Sequence, residues 1–209
     1  MQLEQKLLRT QMNPHFIFNS LASIESFIYE NEPKEAGMYL SKFARLIRLI
    51  LENSASEYIT LEKEIETLNF YLSLEKLRLN DNLYYSIEID SSVSLDQIYL
   101  PPMLTQPFIE NAIEHGFRGM KEAGKLNVSF KVSEGILEVQ ITDNGMGIAQ
   151  SQQQKDLNKT HKSMAIQITQ ERLKFLNKNK KRKLNFAVTE LLNDKNENKG
   201  TKVLFEVPL

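Results

Sequence analysis

The 209-residue sequence contains no cysteine. That excludes a disulfide framework, a thiol nucleophile and a Cys-type zinc site, and it fits a reducing cytoplasm. Histidine is scarce too: three residues are too few for most metal cages. No excess of one charge is present, since 26 Lys and Arg stand against 27 Asp and Glu, so no overall field draws nucleic acid or an anionic membrane. No apolar run reaches the roughly 18 residues that a membrane span needs, and "MQLEQKLLRT" lacks the apolar core of a signal peptide. What remains, 41% hydrophobic and 25% charged, is the composition of a soluble globular protein with room for one large domain or two small ones. The sequence opens inside a helical pattern, which predicts that it is the tail of a longer protein.

Glycine is nearly absent from the first 80 residues, where Gly37 stands alone and apolar residues recur at spacings of three and four. This predicts helices near 3–30, 34–54 and 61–80, the last with Thr60 as N-cap. After "LNDN" the texture changes. "YYSIEID", "KLNVSFKV", "ILEVQIT", "KLNFAVTE" and "TKVLFEV" alternate at period two and predict strands. Two helical patterns, "MLTQPFIENAIEHGF" and "SMAIQITQERLKFLN", lie among them. The fold class expected is α+β: a helical region over 1–80, then an α/β sandwich over 81–209 with helices on one face of a mostly antiparallel sheet.

On a helical wheel of "PFIENAIEHGF", Phe108, Ile109, Ala112 and Ile113 fall within about 140° of one another, while Glu110, Asn111, Glu114 and His115 share another arc of about 140°. One face suits a sheet; the other offers two carboxylates, an amide and an imidazole. In "ILEVQITDNGMGI" the Asn-Gly pair signals a hairpin, yet the polar stretch after it, "MGIAQSQQQKDLNKTHK", has no alternation. It reads instead as a mobile loop of roughly 15 residues, a length found at lids. A calcium loop is excluded, because no liganding pattern follows Asp143.

These two segments, in this order and with two strands between them, resemble the Asn box and first Gly box of the GHKL or Bergerat-type ATPase family shared by histidine kinases, gyrase and MutL. The resemblance implies that ATP lies between the Asn-bearing helix and a lid. It implies that Asn111 supplies an oxygen ligand to Mg²⁺ and that Glu110 orients water or polarises the attacking group. His115 is placed near the phosphates and Asp143 against the adenine amino group, while Gly145 and Gly147 let the backbone pass the base. "NKGTKVLFEV" matches the family's final Gly-Thr element, with Gly200 allowing close approach and Thr201 bonding near the adenine. Glu114 is expected to be a solvated charge and His161 a plain lid residue. One stretch departs from the family: where a Gly-x-Gly-Leu closes the lid, this sequence has "KSMAI". There Lys162 and a helix N-terminus led by Ser163 are left to meet phosphate.

An ATP site needs an acceptor. Ile17, Leu21, Ile24 and Ile28 cluster within about 60° on the first helix, centred roughly 210° from His15, so the imidazole is expected to point away from the apolar stripe. Pro14 removes a backbone N–H and is expected to loosen the turn ahead of His15. Neutral imidazole is a competent nucleophile near pH 7. "QMNPHFIFNSL" resembles the phosphoacceptor segment of the LytS-type sensor histidine kinases, and "FARLIRLIL" and "TLEKEIETLNFYLSLEKLRL" are similar to that family's next helical elements. The resemblance implies ATP-dependent autophosphorylation of His15 and transfer to an Asp of a response regulator. It also implies a homodimer through the N-terminal helices and a cytoplasmic location, downstream of an inner-membrane sensor. No general base for His15 is identified; Phe16 occupies the place where many histidine kinases carry an acid, and Glu110 is the candidate once the domains dock. Two alternatives share the pattern: an ATP-binding switch without kinase activity, and an ATPase of the gyrase or MutL sort.

Overall fold

The computed structural model describes residues 14–79, 82–147, 164–178, 182–192 and 198–209. Three helices open it: α1 (Pro14–Tyr29), α2 (Pro33–Ser54) and α3 (Leu61–Arg78). Asn31, with φ of 59°, turns the chain between α1 and α2, and Pro33 starts α2 where its missing N–H costs nothing. Thr60 caps α3 as expected, its Oγ1 accepting from the Lys63 N–H at 3.4 Å. The bend expected ahead of Pro14 falls on residues outside those described.

The buried face of α1 is not the expected stripe. Phe16 and Ser20 are buried and Ile24 and Phe27 pack beside them, whereas Leu21 and Ile28 are exposed. Aromatic contacts decide which side turns inward. Phe16 lies 5.0 Å from Tyr71 and 6.2 Å from Phe43 between ring centroids, and Phe27 lies 5.9 Å from Tyr39. An apolar wheel could not show this, because α1 has two apolar sides and only packing selects between them.

The second half is a five-stranded sheet in the order β2–β4–β5–β7–β6, formed by β2 (Leu83–Ile89), β4 (Gly124–Ser133), β5 (Ile136–Asp143), β6 (Asn185–Leu192) and β7 (Asn198–Pro208). A hairpin through Glu134 and Gly135, both at positive φ, joins β4 to β5. Three pairings are antiparallel and β2–β4 is parallel. The parallel pair follows from connectivity, since the chain makes a long crossover between those strands before it returns. That crossover holds β3 (Tyr99–Leu100), paired with β1 (Ile59–Thr60), and the helix α4 (Gln106–Asn111). A last helix, α5 (Met164–Leu176), precedes β6. Leu126, Val128, Phe130, Val139, Ile141, Val203 and Phe205 face one side, in a buried cluster that continues through Leu72, Tyr71, Leu68 and Leu46 to Phe16.

The crossover also carries polar backbone into this core. Residues 102–105 are buried, and the N–H groups of Met103 and Leu104 have no strand partner to meet. Glu64 of α3 takes them: it accepts from the N–H of Met103 at 2.8 Å and of Leu104 at 3.1 Å, and from the Thr105 hydroxyl at 3.3 Å. Arg172 of α5 holds the carbonyl side, donating to the oxygens of Pro102 at 2.6 Å and Met103 at 3.4 Å. Burial pushes the Glu64 carboxyl up, and these donors together with the Arg172 charge pull it back. The folded state therefore holds a Glu64 proton more tightly than the unfolded chain, so this contribution is largest below the ordinary carboxylate range and declines as pH rises through the raised folded value. Glu64→Gln is expected to cost about 1–3 kcal/mol at acid pH, because an amide cannot accept from all three donors. Urea unfolding repeated from the acid range to neutrality should show the gap to wild type narrowing.

Candidate functional site

The site is built at the end of α4. Phe108, Ile109, Ala112 and Ile113 are buried, as the wheel predicts, with Phe108 edge-on to Phe205 at 5.5 Å and tilted against Phe186 at 5.7 Å between ring centroids. The opposite arc of Glu110, Asn111, Glu114 and His115 is half-buried. Gln106 Nε2 donates to Glu110 Oε1 at 2.9 Å, fixing that carboxylate one turn back along the helix. Beyond Asn111 the helix widens into a π turn, Ala112–Gly116, closed by the Phe117 N–H on the Ala112 oxygen at 2.9 Å. Wheel spacing of 100° does not anticipate this turn, and such widened turns recur at functional sites.

Two other strand ends meet this helix end. Asp143 closes β5, and its Oδ1 accepts from the Gly145 N–H at 2.8 Å and the Thr201 N–H at 3.3 Å. Burial pushes the Asp143 carboxyl up, while bonds from Gly145 and Thr201 pull it back. Met146 donates its N–H to the Gly116 oxygen at 3.0 Å, so the loop after β5 lies against the end of the π turn. A Cβ at Gly145 would stand 2.8 Å from Gly116 Cα, which leaves room there for backbone alone. Gly200 has φ of 140°, and a Cβ on it would fall 1.8 Å from the Asp143 oxygen. Gly147, at φ of 75°, takes the chain onward. Asn111, His115, Asp143, Gly145, Gly147 and Thr201 are thus brought to one end of the sheet. Lys162, Ser163 and the lid loop lie outside the described residues. A cavity of about 550 Å³ opens at the same strand end, lined by Tyr84, Lys125, Asn127, Thr142, Asp143 and Asn144; α4 contributes nothing to its lining.

His15 is in the first turn of α1, with Phe16 anchoring that turn in the core. Its Nδ1 lies 2.7 Å from Glu114 Oε1; the His15 side chain is 62% exposed and that of Glu114 17%. Asn19, one turn on, holds its Nδ2 3.2 Å from Nδ1 and 3.4 Å from Nε2. Glu114 is therefore not a solvated charge. Behind it, Glu75 of α3 is buried and paired with Arg78; burial pushes the Glu75 carboxyl up, Arg78 pulls it down, and Glu114 and His15 act on it in opposite senses. Sequence reasoning missed Glu75, Arg78 and the role of Glu114. Residues 15 and 114 are 99 positions apart, and no spacing rule connects them.

Comparison with known proteins agrees with this geometry. Residues 3–83 match the family model described as histidine kinase. Sensor histidine kinase BtsS of Escherichia coli is 36% identical over 143 residues, covering 68% of this chain and 25% of the relative. Sensor protein LytS of Staphylococcus epidermidis is 30% identical over 207 residues, covering 98% of this chain and 34% of the relative. The chain thus spans between a quarter and about a third of these relatives' lengths. Among solved structures, the histidine kinase domain of a blue-light activated histidine kinase from Erythrobacter litoralis superposes with a TM-score of 0.52 at 16% identity, covering 100% of this chain and 95% of that one. A bacterial phosphotransferase gives 0.54 at 13% identity, covering 98% and 96%. At such identities the likeness establishes the fold.

The close approach at Gly200 makes a direct test. Gly200→Ala is expected to destabilise the protein by at least about 1–3 kcal/mol from its φ alone. Gly37→Ala, inside α2 where a Cβ meets nothing within 4 Å, should instead stabilise by about 0.5–1 kcal/mol. Chemical denaturation of both variants measures the contrast.

Proposed function

The chain belongs to the LytS-type histidine kinase family, and we propose that it is the kinase core of a two-component sensor, autophosphorylating His15 from ATP and passing the phosphoryl group to an Asp of a response regulator. One observation carries the reading. The exposed imidazole of His15 lies against Glu114, on the same helix end as Glu110, Asn111 and His115, the residues that the family resemblance assigns to the phosphates. On this reading, acceptor and nucleotide site lie side by side within one chain.

ATP is the substrate. Asp143, with one oxygen already fixed by the Gly145 and Thr201 amides, is preorganised to receive the adenine amino group. At Gly145 and Gly200 a Cβ would collide with Gly116 and with the Asp143 carbonyl, so glycine at both places lets the backbone close tightly around Asp143. Asn111 and Glu110 stand where the phosphates would pass, with His115 beside them, and the family resemblance assigns Lys162 and Ser163 to the phosphates as well. The oxygen donors at Asn111 and Glu110 fit a Mg²⁺ ion, which usually takes one or two protein oxygens and completes its shell with phosphate and water. When bound, the ion would neutralise charge on the phosphates; the protein's own part is to hold His15 in line and to exclude water.

A homodimer through the N-terminal helices is part of the proposal. The outward side of α1 shows Phe18 at 69%, Leu21 at 50% and Ile28 at 62% exposure, and α2 adds Leu40 and Leu51. A second copy of α1 and α2 would cover these as a four-helix bundle. No helix among the described residues is long and apolar enough to cross a membrane. The location assigned here, cytoplasmic and downstream of an inner-membrane sensor, rests on the family resemblance.

Incubation with γ-labelled ATP and Mg²⁺ should give an acid-labile label that is absent from His15→Ala and reduced at least about tenfold in Asn111→Ala. Binding of ATP without any label would favour the nucleotide switch; steady hydrolysis without label would favour an ATPase. Sedimentation should find a dimer for wild type and a monomer for Leu21→Glu combined with Ile28→Glu.

A further inference from the structure

We infer that Glu114 is the general base and positioning residue for His15, the role that Phe16 cannot fill. The inference rests on the kinase reading above and deepens it. A carboxylate can only accept a hydrogen bond, so its oxygen at 2.7 Å from Nδ1 places the imidazole proton on Nδ1 and the lone pair on Nε2. That is the tautomer in which Nε2 is the nucleophile. The Asn19 amide, with Nδ2 3.2 Å from Nδ1 and 3.4 Å from Nε2, lies against the ring, and with Nδ1 protonated the Nε2 lone pair is the one it can donate to.

Four features make Glu114 the acid for this ring. Its side chain is 17% exposed, so water competes little for the carboxylate, whereas the ring it holds is 62% exposed and open to a phosphoryl donor. Glu75, the other nearby acid, is committed to Arg78. Glu110 is held by Gln106 Nε2 at 2.9 Å. The residue after His15 is part of the core: Phe16 is 5% exposed and packed against Tyr71. An acid there would be buried against an aromatic ring, at a cost of several kcal/mol. The base must therefore come from another element, and the π turn of α4 supplies it.

The step balances as follows. Nε2 forms a bond to the γ-phosphorus of ATP, and the bond from that phosphorus to the β,γ-bridging oxygen breaks with its electron pair leaving on ADP. The Nδ1 proton passes to Glu114 Oε1 and then to water, so the product is a neutral-ring phosphohistidine. The base thus acts through the ring, at the nitrogen remote from phosphorus.

The test uses the 209-residue chain with ¹⁵N-labelled histidine, His15 being assigned by its loss in His15→Ala. In the protein without nucleotide, His15 should show a protonated Nδ1 and an unprotonated Nε2; Glu114→Gln, which still offers an oxygen, should keep that pattern, and Glu114→Ala should lose it. In the labelling assay Glu114→Gln should slow the initial rate at saturating ATP by about 10²-fold, with ATP affinity within about twofold of wild type by fluorescent-analogue titration. Wild-type rates in both variants would overturn the proposal. So would a weakened ATP affinity at an unchanged saturated rate, which would put Glu114 in the nucleotide site, or a faster rate in Glu114→Ala, which would make the contact an inhibitory clasp. An unlabelled wild type whose nitrogen spectra still show the pair would instead overturn the kinase reading, and the base with it.

Discussion

The structure depends on how one buried stretch of irregular backbone is satisfied. Residues 102–105 run through the core without a strand beside them, and unmet N–H groups there would each cost about 1–3 kcal/mol. Glu64 from α3 meets the donors and Arg172 from α5 meets the acceptors. A carboxylate and a guanidinium thus do for this loop what a neighbouring strand does elsewhere in the sheet. Because α4 begins where the loop ends, the same bonds set where Glu110, Asn111 and Glu114 stand relative to α3. The helical half and the sheet half consequently share one core, and α3 serves both.

That shared core explains the placement of His15. Phe16 enters it beside Tyr71 and Phe43, and a helix turns by about 100° per residue, so its neighbour His15 is carried to the rim. There it meets Glu114, which stands on an element fixed independently by Glu64. Neither His15 nor Glu114 is placed by local sequence. Each is placed by a buried neighbour, Phe16 in one case and the loop held by Glu64 in the other.

The sequence makes much of this legible, and the failures have physical causes. Alternation locates all five strands of the main sheet, and Thr60 marks the start of α3, because period and capping are local properties. The buried face of α4 is also legible, since Phe108, Ile109, Ala112 and Ile113 precede or open the π turn. The side of α1 that turns inward is not: two apolar faces compete, and Tyr71, more than fifty residues away, decides. The pairing of His15 with Glu114 and the burial of Glu64 are likewise long-range, so a charged residue among polar ones gives no hint of either. The two-residue pairing of β1 with β3 is too short to leave a period.

The two-sided character of α1 has a mechanical consequence. Its inner side is tied to the core by Phe16 and Phe27, while its outer side presents Phe18, Leu21 and Ile28 to whatever covers them. A torque on this helix would draw Phe16 out of its socket in the same movement that carried His15 off Glu114. Exposing one such ring costs about 1.5–3 kcal/mol, a gap that by itself leaves the turned-out ring populated at about 0.6–8%, before Phe27 adds its share. Phe16 therefore acts as a detent: the helix rests in one angular position by default, and the energy needed to leave it is small enough for one additional protein contact to supply.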